Sequence, residues 1–140
     1  MSSERPYRHL MSRLRAAGLR PTRQRLALAR LLFEGGDRHV TAEVLHEEAT
    51  QAQISVSLAT VYNTLHQFTA AGLLREILVD GIRSYFDTNT SDHHHFYNEG
   101  SGALGDIPAD RIVVSDLPSP PPGTAVKRVD IVVRIATEEE

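Results

Sequence analysis

Along the first half of the chain apolar residues recur at helical spacing, and only near the end do they alternate as in a strand. Residues 7–17 set Leu10, Leu14 and Ala17 at intervals of four and three, with Gly18 placed to stop a helix. Pro21 and Thr22 open a second helix over residues 22–34, with Leu28, Leu31 and Leu32 inward and Gly35 and Gly36 ending it. A third begins after Val40, has Thr41 and Glu43 in its first turn, and turns Ala42, Leu45, Ala49 and Ala52 inward. After a polar turn at residues 53–56, Ser57 caps a fourth helix that runs to about Ala71, with Leu58, Val61, Leu65 and Phe68 as its buried stripe and Gly72 closing it. Residues 74–79 and 83–86 are short strand-like runs around Asp80-Gly81, a strong hairpin-turn dipeptide. Beyond Tyr97 the chain is glycine-rich at Gly100, Gly102 and Gly105, strand-like over residues 111–114, and then proline-rich at Pro118, Pro120, Pro121 and Pro122. Residues 125–135 give the clearest strand, with Val129, Ile131, Val133 and Ile135 alternating against Arg128, Asp130, Val132 and Arg134.

Helices followed by a two-stranded ribbon describe a winged helix-turn-helix, in which the last helix enters the major groove and the ribbon flanks the phosphate backbone. The predicted fold class is α+β. A winged-helix DNA-binding domain over residues 1–87 precedes a small, shortened α/β or mostly β dimerisation and sensing domain over residues 88–140. About fifty residues bury too little apolar surface alone, so the second domain is expected to pair in a homodimer.

Charge sharpens this division. Residues 1–86 carry 11 Arg or Lys against 8 acids, and residues 87–140 carry 4 against 10, so the overall −3 is a basic half joined to an acidic one. The acids end in a tail, Glu138 to Glu140, expected to fray. The chain has no cysteine, which removes disulfides, thiolate zinc sites and cysteine nucleophiles together. No apolar run reaches membrane-spanning length and the first residues lack the apolar core of a secretion signal, so a cytoplasmic protein without a membrane partner is expected.

The fourth helix suits base contact. Ser57, Ala59, Thr60, Asn63, Thr64 and Gln67 are outward in the helical pattern, short or amide-bearing and free of acids, so they can approach base edges closely. Tyr62 can reach a phosphate or sugar, or pack beside the buried stripe. Arg20, Arg23, Arg25 and Arg83 are the cations expected to neutralise phosphates of double-stranded DNA.

The remaining chemistry lies in Asp92-His93-His94-His95-Phe96-Tyr97. Neutral imidazole serves iron, copper, nickel, zinc or the axial position of a haem, whereas a histidine run can equally be a solvated polar loop. If the run is extended, His93 and His95 share one face and His94 points to the other. Phe96 and Tyr97 could cover part of a haem. His9, His46 and His66 read as ordinary helix residues. A small metalloenzyme with a His/carboxylate site is the alternative from another class, but no general base stands beside the cluster and the basic half would go unexplained.

Ala17-Gly18-Leu19-Arg20-Pro21-Thr22-Arg23-Gln24-Arg25, His39-Val40-Thr41-Ala42-Glu43-Val44-Leu45, Ser57-Leu58-Ala59-Thr60-Val61-Tyr62-Asn63-Thr64-Leu65 and the histidine triplet resemble the ferric uptake regulator superfamily. Asn63, the run from Ser84 to Tyr97 and the missing cysteines resemble its iron response regulator branch. The resemblance implies a dimeric transcription regulator of iron and haem homeostasis, repressor or activator, acting on an AT-rich inverted repeat. It also implies a regulatory metal site (divalent iron or manganese) using His39, Asp87, His95 and, by spacing on the shared face, His93. The haem-responsive branch would use His93, His94 and His95 to bind haem. Direct sensing of manganese or ferrous iron without haem is the alternative within the class. One further family histidine falls where this chain has Tyr97. A second family site needs an acid where Phe96 stands and a histidine downstream of His95, and the structural zinc site needs paired cysteines, so both are expected to be missing. Family dimerisation domains carry a helix before the last strand, and here the proline-rich stretch takes its place.

Overall fold

In the computed structural model, which describes residues 4–138, Leu14, Leu28, Leu32, Leu45, Val61, Leu65 and Phe68 are buried in one cluster that draws the four α-helices together. Glu139 and Glu140 of the expected frayed tail lie outside the described residues. The helices are α1 (Glu4–Ala16), α2 (Arg23–Phe33), α3 (Ala42–Gln51) and α4 (Leu58–Ala70). Thr22, Thr41 and Ser57 cap the last three, each side-chain oxygen accepting a hydrogen bond from the backbone N–H three residues on.

Three helices end alike. Leu19 N–H donates to Leu14 O at 2.8 Å, Ile54 N–H to Ala49 O at 2.8 Å, and Leu73 N–H to Phe68 O at 2.9 Å. Each is the long bond of a Schellman cap, with an apolar residue placed just past the turn. Gly18 (φ 82°) and Gly72 (φ 84°) supply the left-handed residue for two of them. Gln53 does so at φ 60° for α3, a conformation costing a side chain about 1 kcal/mol or more.

A short strand before α3, β1 (His39–Val40), joins β2 (Arg75–Leu78) and β3 (Ser84–Asp87) in an antiparallel sheet of order β1-β3-β2. Arg38 fixes the end of this sheet. Its guanidinium grips Glu48 of α3 at 2.7 and 3.0 Å, its N–H donates to Thr88 Oγ1 at 2.9 Å, and its carbonyl accepts from Thr88 N–H at 2.9 Å. The chain separates into two compact units, residues 1–90 and 91–140.

The second unit is a three-stranded sheet, β4 (His93–Asn98), β5 (Leu104–Pro108) and β6 (Val132–Ile135), with β4 central, antiparallel to β5 and parallel to β6. A 3-10 turn over Ala109–Arg111 follows β5, and no α-helix stands between β5 and β6 among the described residues. The proline-rich stretch thus replaces the helix, as the sequence implies.

Several expectations are corrected. Leu58 is 37 % exposed, because the stripe of α4 starts at Val61 and continues through Thr64, Leu65 and Phe68; Thr64 is therefore inward rather than outward. Ala52 is exposed at the cap of α3. The strand expected over residues 111–114 is the end of the 3-10 turn followed by irregular chain. The strand expected over residues 125–135 forms only from Val132, where β4 offers a partner; upstream of that point alternation has no ladder to join. Residues 93–98, for which an extended run was one of the readings, and residues 104–108, whose pattern Gly105 interrupts, are strands. We expect Phe68→Ala to destabilise the first unit by about 3–5 kcal/mol in denaturant unfolding, since the ring is fully enclosed.

Candidate metal centre and nucleic-acid interface

In β4 burial alternates, with His93, His95 and Tyr97 buried and His94, Phe96 and Asn98 less so. The antiparallel register sets His95 opposite Asp106 of β5. Both imidazoles converge on that carboxylate: His93 Nε2 lies 3.4 Å and His95 Nε2 3.5 Å from Asp106 Oδ1, and the two rings are 4.4 Å apart. Two nitrogens and one oxygen therefore face a common point, with ligand atoms within 4.8 Å of one another. Ser91 carbonyl oxygen lies 2.7 Å from His93 Nδ1. A carbonyl oxygen can only accept, so Nδ1 donates to it, the kind of bond that orients metal-bound histidines.

His94 behaves differently. It is half-buried on the other face, and its Nδ1 accepts the Ile131 N–H at 3.2 Å, tying β4 to the start of β6. The three imidazoles are thus divided between the two faces of the sheet. Tyr97 is buried, so of the two aromatic residues only Phe96 stands exposed on the face shared with His94. Asp106 has no counterpart in the sequence-level ligand set. Its signal was its place opposite His95, which is legible only once β5 is known. His39 and Asp87 belong to the first unit, where they are cross-strand partners of β1 and β3; His39 packs edge-on to Tyr85 at 6.5 Å.

In the first unit Arg20, Thr22, Gln24, Arg25, Thr60, Asn63 and Gln67 line one surface groove between the start of α2 and the outer face of α4. Arg25 binds the two sides together, its Nη1 donating to Arg20 O at 2.9 Å and its Nη2 to Gln67 Oε1 at 2.9 Å. That leaves the Gln67 amide NH2 directed away from Arg25. Arg23 and Asn63 are exposed, as is Ala59. Ser57 and Thr60 bond to each other at the cap, the Ser57 hydroxyl donating to Thr60 Oγ1 at 2.9 Å and accepting from Thr60 N–H at 3.0 Å. Arg83 is exposed in the hairpin connection, where Asp80 Oδ1 accepts the Ile82 N–H at 3.0 Å and sets the turn. Tyr62 is half-buried, stacks on His66 and donates its hydroxyl to the Glu43 carboxylate. The carboxylate, and to a lesser degree burial, raises the Tyr62 pKa above the usual tyrosine value.

A capped helix with an acid-free outer face, an arginine-lined groove and a hairpin wing together define a winged-helix DNA-binding protein. The second unit adds a histidine–carboxylate cluster of metal-ligand type. The model of the "Ferric uptake regulator family" matches residues 16–117. The peroxide-responsive repressor PerR of Staphylococcus aureus is 33 % identical over 106 residues, covering 76 % of this chain and 71 % of that protein. The ferric uptake regulator of Pseudomonas aeruginosa, solved with manganese, superposes with a TM-score of 0.69 at 25 % identity, over 93 % of this chain and 98 % of the other. The Vibrio cholerae ferric uptake regulator shares the fold with a TM-score of 0.71 at 22 % identity, over 91 % and 98 %. The chain belongs to the ferric uptake regulator family, whose members are metal-responsive, DNA-binding transcription regulators that act as dimers. It is therefore a regulator, and the metalloenzyme alternative falls away. No helix among the described residues is long and apolar enough to cross a membrane.

The Tyr62–Glu43 bond needs the phenolic proton, so its contribution is complete at neutral pH and is lost as pH rises through the raised Tyr62 midpoint. Glu43→Gln is expected to bring that midpoint back toward the ordinary tyrosine value, read as one of four tyrosines in an ultraviolet difference titration. An unchanged profile would show that the carboxylate does not hold the proton.

Proposed function

We propose that this chain is a cytoplasmic, homodimeric repressor whose affinity for an AT-rich inverted repeat changes when a divalent ion, ferrous iron or manganese, is held by His93, His95 and Asp106. The observation that carries the reading is the convergence of two buried imidazoles on one carboxylate, with the Ser91 carbonyl orienting His93. Donors of that kind fit a borderline or hard divalent ion: neutral nitrogens with one anionic oxygen and no thiolate. The manganese-bound Pseudomonas aeruginosa relative supports the same class of ion. His39 and Asp87 join the ligand set on the family pattern. A bound ion would offset the anionic Asp106 and hold β4 against β5; the residues themselves supply the orientation.

On the DNA side, Arg20, Arg23 and Arg83 meet phosphates, while Ser57, Ala59, Thr60, Asn63 and Gln67 meet base edges. Arg25 serves mainly to position Gln67, and Tyr62 reaches a sugar or phosphate only by giving up Glu43. Arg20→Ala should weaken binding to all sequences alike and lower the salt slope by about one, whereas Asn63→Ala should lose about 1–3 kcal/mol of discrimination at one base pair. Anisotropy titrations on matched and mismatched duplexes at several salt concentrations separate the two effects.

A second reading makes haem the signal. It is favoured by His94 and Phe96, an imidazole and a 42 % exposed aromatic ring on one open sheet face. It is disfavoured by His93 and His95, which are buried toward Asp106, and by the His94 Nδ1 already engaged with Ile131. Mobility shift on the inverted repeat with manganese, ferrous iron or haem decides between them. Asp106→Asn is expected to lower metal affinity by about 10–100-fold and to abolish the metal effect on DNA while leaving metal-free binding intact. A Soret band lost in His93→Ala/His94→Ala/His95→Ala, together with a haem-dependent shift, would move the assignment to haem. Operator binding indifferent to all three ligands would sink the sensing claim.

A further inference from the structure

Between the 3-10 turn and β6 the second unit contains twenty residues, 112–131, without helix or strand. Pro121 and Thr124 close a local turn within it, and Ile131 meets β4 at its end. Irregular stretches of that length are uncommon inside a compact domain unless they carry a function. This one displays apolar side chains: Val113 is 86 % exposed, Leu117 50 %, and Val114 and Val126 are similarly open. Meanwhile the sheet it leaves has an open apolar face. Phe96, Ile107, Pro108 and Val133 line a cavity of about 410 Å3 there, together with Asp106, Arg111 and the segment's own first residue, Ile112. The only buried large apolar residues of this unit, among those described, are Tyr97, Leu104 and Ile107. Such a core is too small to hold fifty residues alone.

We infer that residues 112–131 form an arm that packs on the open sheet face of a second copy of this chain, each subunit giving an arm and receiving one. This rests on the dimeric reading and names the surface that makes the dimer. Reach and stiffness agree with it. Pro118 and Pro120 to Pro122 favour a polyproline II path of about 3.1 Å per residue, so ten residues extend roughly 30 Å. Crossing a three-stranded sheet takes about 10 Å at the usual strand spacing. Four prolines with fixed φ also leave the segment fewer conformations to lose on docking. Exchange between two copies is also self-complementary, because the excess apolar surface of each arm meets the deficit on the other sheet.

The cysteine-free chain makes a clean test. Sedimentation equilibrium of the full chain compares wild type with Val113→Asp/Leu117→Asp. Both positions are exposed in the single subunit, so circular dichroism and metal binding serve as controls on folding. The dimer dissociation constant is expected to rise by about a hundredfold, from two carboxylates forced into an apolar contact. Separately, Leu117→Cys labelled with an environment-sensitive maleimide dye should shift its emission to the blue as protein concentration crosses the dimerisation midpoint. A dissociation constant unchanged within about twofold overturns the arm exchange and leaves the dimer itself standing. A blue emission independent of concentration overturns it too, because the arm would then lie on its own sheet. A dye that stays red in the dimer leaves the arm open to a different partner and likewise overturns it. A wild-type chain that is monomeric throughout overturns the dimeric reading and the arm together.

Discussion

The two-residue period of β4 is the constraint from which the second unit follows. As the central strand it must pair on both edges, so residues 93–98 are held extended and their side chains alternate between faces. That alternation sends His93 and His95 to one side and His94 and Phe96 to the other. The register with β5 then delivers Asp106 opposite His95, and the parallel pairing with β6 brings the Ile131 N–H to His94. A slip of one residue would exchange the faces, bury Phe96 and turn His94 toward β5's carboxylate. The ligand set is therefore a product of strand register rather than of three separately placed side chains. Its precision comes from backbone pairing, which costs nothing extra to maintain once the sheet exists.

In the first unit the same role falls to helix ends. N-terminal hydroxyl caps fix where α2, α3 and α4 begin, C-terminal Schellman turns fix where α1, α3 and α4 stop, and the apolar residue after each turn returns the chain to the core. With both ends determined, burial of Val61, Leu65 and Phe68 sets the rotation of α4, and Asn63 and Gln67 are left on its outer face. Arg25 then restricts Gln67, and Glu43 restricts Tyr62. A recognition surface whose polar groups are pre-oriented loses less side-chain entropy on meeting DNA than one of free rotors.

How much of this was legible depended on whether a signal was local. Thr22, Thr41 and Ser57 announce helix starts within four residues, so the helices and the wing were readable. The rotation of α4 was readable to within one turn: Val61, Thr64, Leu65 and Phe68 follow helical spacing, but a hydroxyl in that row looks polar and Leu58 looks apolar. Thr64 is tolerated inside because it is short, and Leu58 stays exposed because it precedes the part of α4 that meets the core. The second unit was less legible. Gly102 and Gly105 hide β5, so Asp106 could not be aligned with His95. The alternation from Val129 promised a long strand, yet pairing requires a neighbour and β4 supplies one only from Val132. Non-local pairing is invisible to a reading that moves along the chain one residue at a time.

The donor set also bears on what the site can do. Structural zinc centres bind through several thiolates and contribute folding energy outright, so a protein that uses one depends on the metal for its shape. This chain has no thiolate, and Asp106 is half exposed, its side chain 52 % accessible and able to move away from the imidazoles. A site that takes an exposed carboxylate along with buried imidazoles exchanges its ion more readily than a closed tetrahedral cage of thiolates. Exchange is what a sensor requires, since occupancy must follow the free ion concentration. The cost is that the second unit cannot rely on metal for its cohesion. With three large apolar residues buried among those described and no cysteine, that cohesion is expected from pairing with another subunit, and the proposed site and the proposed contact then share one small sheet.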